Sequence, residues 1–425
     1  MHLVKEQTNL LDRFQTYMER SHLHLLDLLF DFSLHFSAPL MKLAMQHAGR
    51  WRRFSIFAFW VMSDLVFDCF QTLQAPNLQY FAIHPNAGAS FGNAIVSAGP
   101  IPTTPTILMG SLRLTYMWFD ISAIPQFIPT MINITTLRIE GSRYYTSPLN
   151  IYTAILSILA IPGLENLSIA GNITDFPPFS ALEQSIKVPK LQHLQIIDSQ
   201  ACAQHLLLID APSLDTLVLE KGCITIEDPL ILAHPFPALR CLVLVDVEAS
   251  DRESGIALGI FTENIHELCV YSDGSQGHRI LLDLIQGSDS TSSTDFGLWP
   301  KLREATFALV SPQSPTFYAN LLRARPTDSP ELALRIHQSL IDVWQELDPD
   351  SLKSIIQLAR LIIPMDPSSP ITAIKEGWRL GRGRFGEFLD TLDTFQIQTG
   401  SFFMDFNEPA WTDLESLSHS NGEPS

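Results

Sequence analysis

Basic side chains are scarce in this sequence: Lys plus Arg number 27 against 45 Asp plus Glu, a formal net charge of −18. A phosphate backbone or an anionic bilayer selects the opposite sign, so nucleic acid and membrane are excluded as principal partners. Long apolar runs are lacking too. The best stretches, Phe54–Met62 and Ile151–Leu164, fall short of the ~20 apolar residues that cross a bilayer. The opening Met1-His2-Leu3-Val4-Lys5-Glu6-Gln7 turns polar before a signal-peptide core forms, so the chain is expected inside the cell, in cytoplasm or nucleus. Cysteines are few and odd in number: Cys69, Cys202, Cys223, Cys241 and Cys269, with no Cys-x-x-Cys pair. That excludes a disulfide framework and the usual zinc spacings, and leaves reduced, mostly buried thiols. Without a secretory signal, the glycosylation patterns at Asn133, Asn166 and Asn172 are expected to stay unmodified.

Catalytic signatures are scarce too. There is no His-Glu-x-x-His, and the one Gly-x-Ser-x-Gly match, Gly88-Ala-Ser90-Phe-Gly92, is a short pattern that by itself marks no hydrolase. Gly381-Arg-Gly383-Arg-Phe-Gly386 has the glycine spacing of a phosphate-cradling loop and resembles that of protein kinases. No His-Arg-Asp follows it, and Asp405-Phe406-Asn407 has asparagine where a metal loop takes glycine, so a turn between helices is expected. His22 and His24 read as surface histidines, and Arg50, Arg52 and Arg53 as a solvated turn. The expectation is a protein with no catalytic residue, no cofactor and no metal site.

What the sequence does have is 46% apolar residues and a recurrent apolar-x-x-apolar-x-apolar unit. It is fullest at Leu164-Glu-Asn-Leu167-Ser-Ile169-Ala-Gly-Asn172, the L-x-x-L-x-L-x-x-N of a leucine-rich repeat. Further copies start at Leu23, Trp51, Leu78, Met109, Ile134, Leu191, Leu214, Leu239, Ile265 and Leu302. Six carry proline two residues before the first apolar position: Pro76, Pro162, Pro189, Pro212, Pro237 and Pro300. Proline fixes φ and offers no N–H, which suits a turn just before a strand. The fourth and sixth positions of each copy share the core side of a short strand, and the third, fifth and seventh the other side. Ala154–Leu159 and Ile280–Ile285 are expected in a helical or 3₁₀ back layer. The expected fold is an α/β irregular leucine-rich-repeat solenoid over 23–310. Asn at the ninth position occurs only at Asn86 and Asn172, too sparsely for a ladder, and Gly287–Asp295 is a polar insertion.

The ends read as helical. Leu10, Leu11, Phe14, Tyr17 and Met18 share one helix face, giving an N-terminal cap over 1–22. Ser329-Pro330-Glu331 offers a helix start, with Leu332, Ile336, Leu340, Val343 and Trp344 on one face. Helices from Ser351 to about Ile363 and from Ser369-Pro370 continue a C-terminal cap over 311–395. An acidic tail over 396–425 is expected to lack fixed structure.

The segment Tyr17-Met-Glu-Arg-Ser21, then Leu26-Asp-Leu28, His47-Ala-Gly-Arg50-Trp51-Arg52-Arg53-Phe54-Ser-Ile56 and the Pro-x-Leu copies resembles fungal F-box leucine-rich-repeat-like proteins over about residues 10–310. The resemblance implies a substrate-recognition part of a ubiquitin-ligase receptor, with a protein held on the repeats and the cullin-ligase adaptor held by an F-box. No Leu-Pro-x-Glu opening marks an F-box here. The alternative from the same residues is a structural or scaffolding repeat protein with no ligase link. In either case the outward positions form the protein-binding concave face: Tyr80, His84, Arg113, Thr115, Arg138, Glu140, Asn166, Ser168, His193, Gln195, Thr216 and Glu220, with Arg113 and Arg138 as cationic anchors. Ile197, Val218, Cys241, Val243 and Val245 form an apolar stripe that, if exposed, marks an interface.

Overall fold

The computed structural model describes residues 2–32, 38–58, 70, 73–85, 108, 110–120, 128–140, 155–171, 186–197, 206, 209–225, 236–272, 299–309, 315–323, 330–336 and 338–362. The chain divides into two compact units, 1–365 and 366–425, and every described residue belongs to the first. The expected features at Cys69, Cys202, Ile280–Ile285, Gly287–Asp295, Ser369-Pro370, Gly381–Gly386 and 396–425 lie outside the described residues.

In chain order the strands are β1 Leu26–Phe32, β2 Trp51–Ala58, β3 Tyr80–Pro85, β4 Tyr116–Asp120, β5 Thr136–Glu140, β6 Asn166–Ala170, β7 Ile186–Lys187, β8 His193–Ile197, β9 Ile209–Asp210, β10 Thr216–Glu220, β11 Cys223–Ile224, β12 Cys241–Val245, β13 Glu248–Ala249, β14 Glu267–Ser272, β15 Glu304–Leu309, β16 Leu332–Ile336 and β17 Ala359–Ile362. The helices described end to end are α1 His2–Arg20, α2 Ala38–Met45, α3 Arg252–Phe261, α4 Pro315–Arg323, α5 Gln338–Leu347 and α6 Pro349–Leu358, and residues 155–159 are helical as well. Thirteen strands form one parallel sheet in the order β1-β2-β3-β4-β5-β6-β8-β10-β12-β14-β15-β16-β17, so each rung pairs with the rung before it. β7 with β9, and β11 with β13, make two short parallel ladders. The fold is thus α/β, with a solenoid-like arrangement of parallel rungs.

The alternation of side chains explains the rungs. Counting each unit from its lead residue (Leu164, for example), positions 4 and 6 point inward. Position 4 runs Phe54, Phe81, Met117, Leu137, Leu167, Leu194, Leu217, Leu242 and Leu268; position 6 runs Ile56, Ile83, Phe119, Ile139, Ile169, Ile196, Leu219, Leu244 and Val270. All are buried except Ile83, which packs against the core. Each such side chain contributes roughly 1.5–3 kcal/mol of transfer free energy.

A second inward column escapes the three-residue template. In nine units the lead N–H donates to the carbonyl three residues back, from Leu78 to Ala75 through Leu302 to Trp299, at 3.0–3.3 Å. These are β-turns, and Ala75, Ser111, Met131, Ile161, Val188, Ala211, Phe236, Thr262 and Trp299 at their first corner are all buried. The six prolines occupy the second position of this turn, where φ near −65° is required. After the strand, Gly171, Lys221 and Asp246 each take a left-handed φ at position 8 and turn the chain off the sheet. Two of these N–H groups reach the neighbouring rung, from Gly171 to Ile197 O and from Lys221 to Val245 O.

The ends correct several expectations. α1 packs with Leu11, Phe14 and Met18 inward, while Leu10 and Tyr17 are half exposed or more. Phe14 meets Phe30 edge-on at 5.7 Å, and Phe30, Phe54, Phe70, Phe81 and Trp51 continue as one aromatic cluster. Arg50 is a helix cap rather than a solvated turn: its guanidinium donates to Met18 O at 3.1 Å, Ser21 Oγ at 3.1 Å and His22 O, closing the end of α1. Arg52 pairs with Asp27. At the other end, Leu332–Ile336 forms β16 instead of a helix start, because Leu332, Leu334 and Ile336 alternate inward while Arg335 points out. Leu340 and Trp344 do lie on a helix, α5, where Trp344 and Phe307 both pack on Tyr318 of α4. α6 ends at Leu358, and β17 follows as a further rung.

Candidate functional site

The side of the sheet opposite the core is formed by positions 3, 5 and 7. Register places most of the expected residues there: Tyr80, Asn166, His193, Thr216 and Cys241 at position 3, Arg138, Ser168, Gln195, Val218 and Val243 at position 5, and His84, Glu140, Ile197, Glu220 and Val245 at position 7. The side chain of His84 lies outside the described residues.

Arg113 and Thr115 do not belong on this face. The unit expected to lead with Met109 leads with Leu114, five residues later, so both precede β4 and lie exposed on its turn. Arg113 donates to Asn77 Oδ1 at 3.3 Å, and the backbone N–H of Thr115 to Gln79 O at 3.1 Å. Their places are taken by Tyr116 and Trp118. The first rung shifts as well: Leu28 and Phe30, not Leu26 and Leu28, pair with Phe54 and Ile56, and Leu23 is almost fully exposed.

This correction assembles a cluster that the sequence did not suggest. Tyr80 and Tyr116, neighbours at position 3, stack with rings 4.4 Å apart and 1° from parallel. On the next column the Arg138 guanidinium lies 4.0 Å from the Trp118 ring centre, a cation–π contact worth roughly 0.5–2 kcal/mol. Arg138 also pairs with Glu140 at 2.9 Å, so the carboxylate fixes the cation over the ring. Burial pushes the Tyr80 phenol up to about 12, against the pull of Ser55, Arg138 and Arg53. Burial likewise holds Tyr116 well above the ordinary phenol range. Both phenols stay protonated and serve as hydrogen-bonding and stacking groups.

From β5 to β8 the polar residues bond to one another. Asn166 Nδ2 donates to Thr136 Oγ1 at 2.9 Å, and Ser168 Oγ to Gln195 Oε1 at 3.1 Å. Burial lowers the affinity of the His193 imidazole for protons, partly offset by Asp215 and Glu165. Further along, Val218 and Val243 are only 3% and 2% exposed, so the centre of the apolar stripe does not meet the condition set for an interface. Cys269, beside Val243 and hydrogen-bonded to Thr306, is pushed up to about 11 by burial and is a neutral thiol. Cys223, Cys241 and Cys269 are in no disulfide.

Among the described residues no group of three His, Cys, Asp or Glu could hold a metal ion, and no helix is long and apolar enough to cross a membrane. Compared with known families and with curated proteins, the chain matches none of the family models and none of the curated sequences.

Proposed function

We propose that the chain is a non-catalytic, protein-binding leucine-rich-repeat protein that holds its partner on the open face of the long sheet. The supporting observation is the β3–β5 cluster, in which the partly exposed Trp118 is clamped under Arg138, beside the stack of Tyr80 on the buried Tyr116. Trp, Tyr and Arg carry most of the energy at protein interfaces, and a pre-fixed Arg–Trp pair loses little rotamer freedom on binding. The unit pattern, with an apolar lead, two inward strand residues and a proline turn, supports the repeat assignment. By resemblance the role is substrate recognition in an F-box type ubiquitin-ligase receptor.

The test is affinity purification of the tagged chain with chemical cross-linking, followed by mass spectrometry of captured proteins and of the cullin-ligase adaptor. The expected result is a partner cross-linked near β3–β5 and lost from W118A/R138E, with the adaptor co-purifying. Partner capture without adaptor sinks the ligase role and leaves a scaffold; capture unaffected by W118A/R138E sinks the open-face site.

A further inference from the structure

The rim where strands enter the sheet turns cationic between β12 and β15, on a chain whose net charge is −18. Position 2, just before each strand, runs Glu165, Gln192, Asp215, Arg240, His266 and Arg303 on successive rungs. Backbone bonds fix this order: His266 N–H donates to Arg240 O at 2.7 Å, and Arg303 N–H to His266 O at 2.9 Å. Lys301, on the turn before Arg303, donates to Asn264 Oδ1 at 2.7 Å, so its ammonium is held at the same rim. Arg303 and Lys301 are exposed, and the Arg240 side chain is 63% exposed with Asp215 3.8 Å from its Nε. The His266 imidazole is held below its usual range by burial and then by the nearby Arg303, Arg240 and Lys301.

We infer that Arg240, Lys301 and Arg303 form a docking site for a short acidic peptide segment of a partner protein, separate from the open face. Adjacent rungs lie about 4.8 Å apart, which puts Arg240 and Arg303 about 10 Å apart along the rim. A peptide in the polyproline II conformation rises about 3.1 Å per residue with about three residues per turn, so carboxylates three residues apart share one side at about 9 Å and match that spacing. Asp215 bounds the patch on one side and the exposed Glu331 follows on the next rung. Those acids favour a short segment over a long polyanion such as a nucleic acid strand, whose phosphates would run on past the cations and meet them.

The test is fluorescence anisotropy of the full chain with a labelled Gly/Ser peptide bearing Glu at every third position, compared with its Gln counterpart and with a polythymidine strand. The Glu peptide is expected to bind at least about tenfold more tightly than the Gln peptide, and the preference should shrink with added salt. R240E/R303E should lower its affinity at least about tenfold, and the milder R240Q/R303Q should lower it measurably if charge reversal disturbs folding. W118A/R138E should leave it unchanged, which separates this site from the open face. Equal binding of the Gln peptide, tighter binding of polythymidine, or indifference to both rim variants would overturn the assignment.

Discussion

Leu112 and Leu114 are two residues apart on the turn into β4 and have opposite fates. Leu114 is the lead residue of its unit and 0% exposed, flanked by the equally buried leads Leu78 and Ile134 on the neighbouring rungs. Leu112 occupies the turn position that six other units fill with proline, and is 76% exposed. Leu114→Ala removes a side chain wedged between two fixed neighbours, a site that collapses poorly, so the cost should be about 2–5 kcal/mol. Leu112→Ala removes atoms already in water and should change stability by no more than about 0.5 kcal/mol. Because rungs couple mainly to their neighbours, urea unfolding followed by tryptophan fluorescence should be paired with hydrogen exchange on peptides covering 110–120 and 134–140. L114A should speed exchange in both peptides, and L112A in neither. A large loss in L112A as well as in L114A would mean that the unit leads with Met109 after all, and that Tyr116 and Trp118 do not share the open face with Arg138.

Two other perturbations follow from the structure. Arg50→Gln takes a charged donor from three acceptors at the end of α1, at a cost of about 1.5–3 kcal/mol; limited proteolysis should then cut between α1 and β1 much sooner, and an unchanged digestion pattern would contradict the cap. Alkali should also destabilise the fold. Cys269 is held near 11 and Tyr80 near 12, whereas free thiols and phenols titrate near ~8.5 and ~10, so the unfolded chain loses these protons first and stability falls as pH rises from about 9 to 12. Urea midpoints at pH 8 and pH 10.5 check the direction, and a C269S/Y80F variant should flatten the difference.

Proline made the repeat legible. Wherever Pro-x-Leu marks the turn, the unit was placed in register, because a fixed φ and a missing N–H restrict where the residue can sit. Without proline the template held at Trp51, Ile134 and Ile265 but slipped at Leu23 and Met109. Met109-x-x-Leu112-x-Leu114 and Leu114-x-x-Met117-x-Phe119 both satisfy it, and only the pairing of Tyr116 with Tyr80 decides between them. Leu25–Phe30 is apolar in nearly every register, and the contact of Phe30 with Phe14 and its pairing with Ile56 select one. Leu332 and Ile336 fit a helix face as well as a strand, an ambiguity inherent in short apolar runs. The candidate site suffered most from the slip at β4: Arg138 was placed correctly, but the tryptophan beneath it was assigned no role.

The order of the sheet bears on how the protein is made. Each rung pairs with the one completed just before it, and the separations between lead residues run from 20 residues, Leu114 to Ile134, to 37, Ile265 to Leu302. Parallel sheets usually fold slowly because distant segments must meet. Here each new strand closes a single loop onto an edge already in place, and doubling such a loop adds only about 0.6 kcal/mol. The chain can therefore lay down its strands in the order they leave the ribosome, as a growth process. At every stage the newest strand exposes an unsatisfied edge, a template for aggregation. A pause in translation between Ile265 and Leu302, where the next strand is longest in arriving, is where the nascent chain is most open to mispairing.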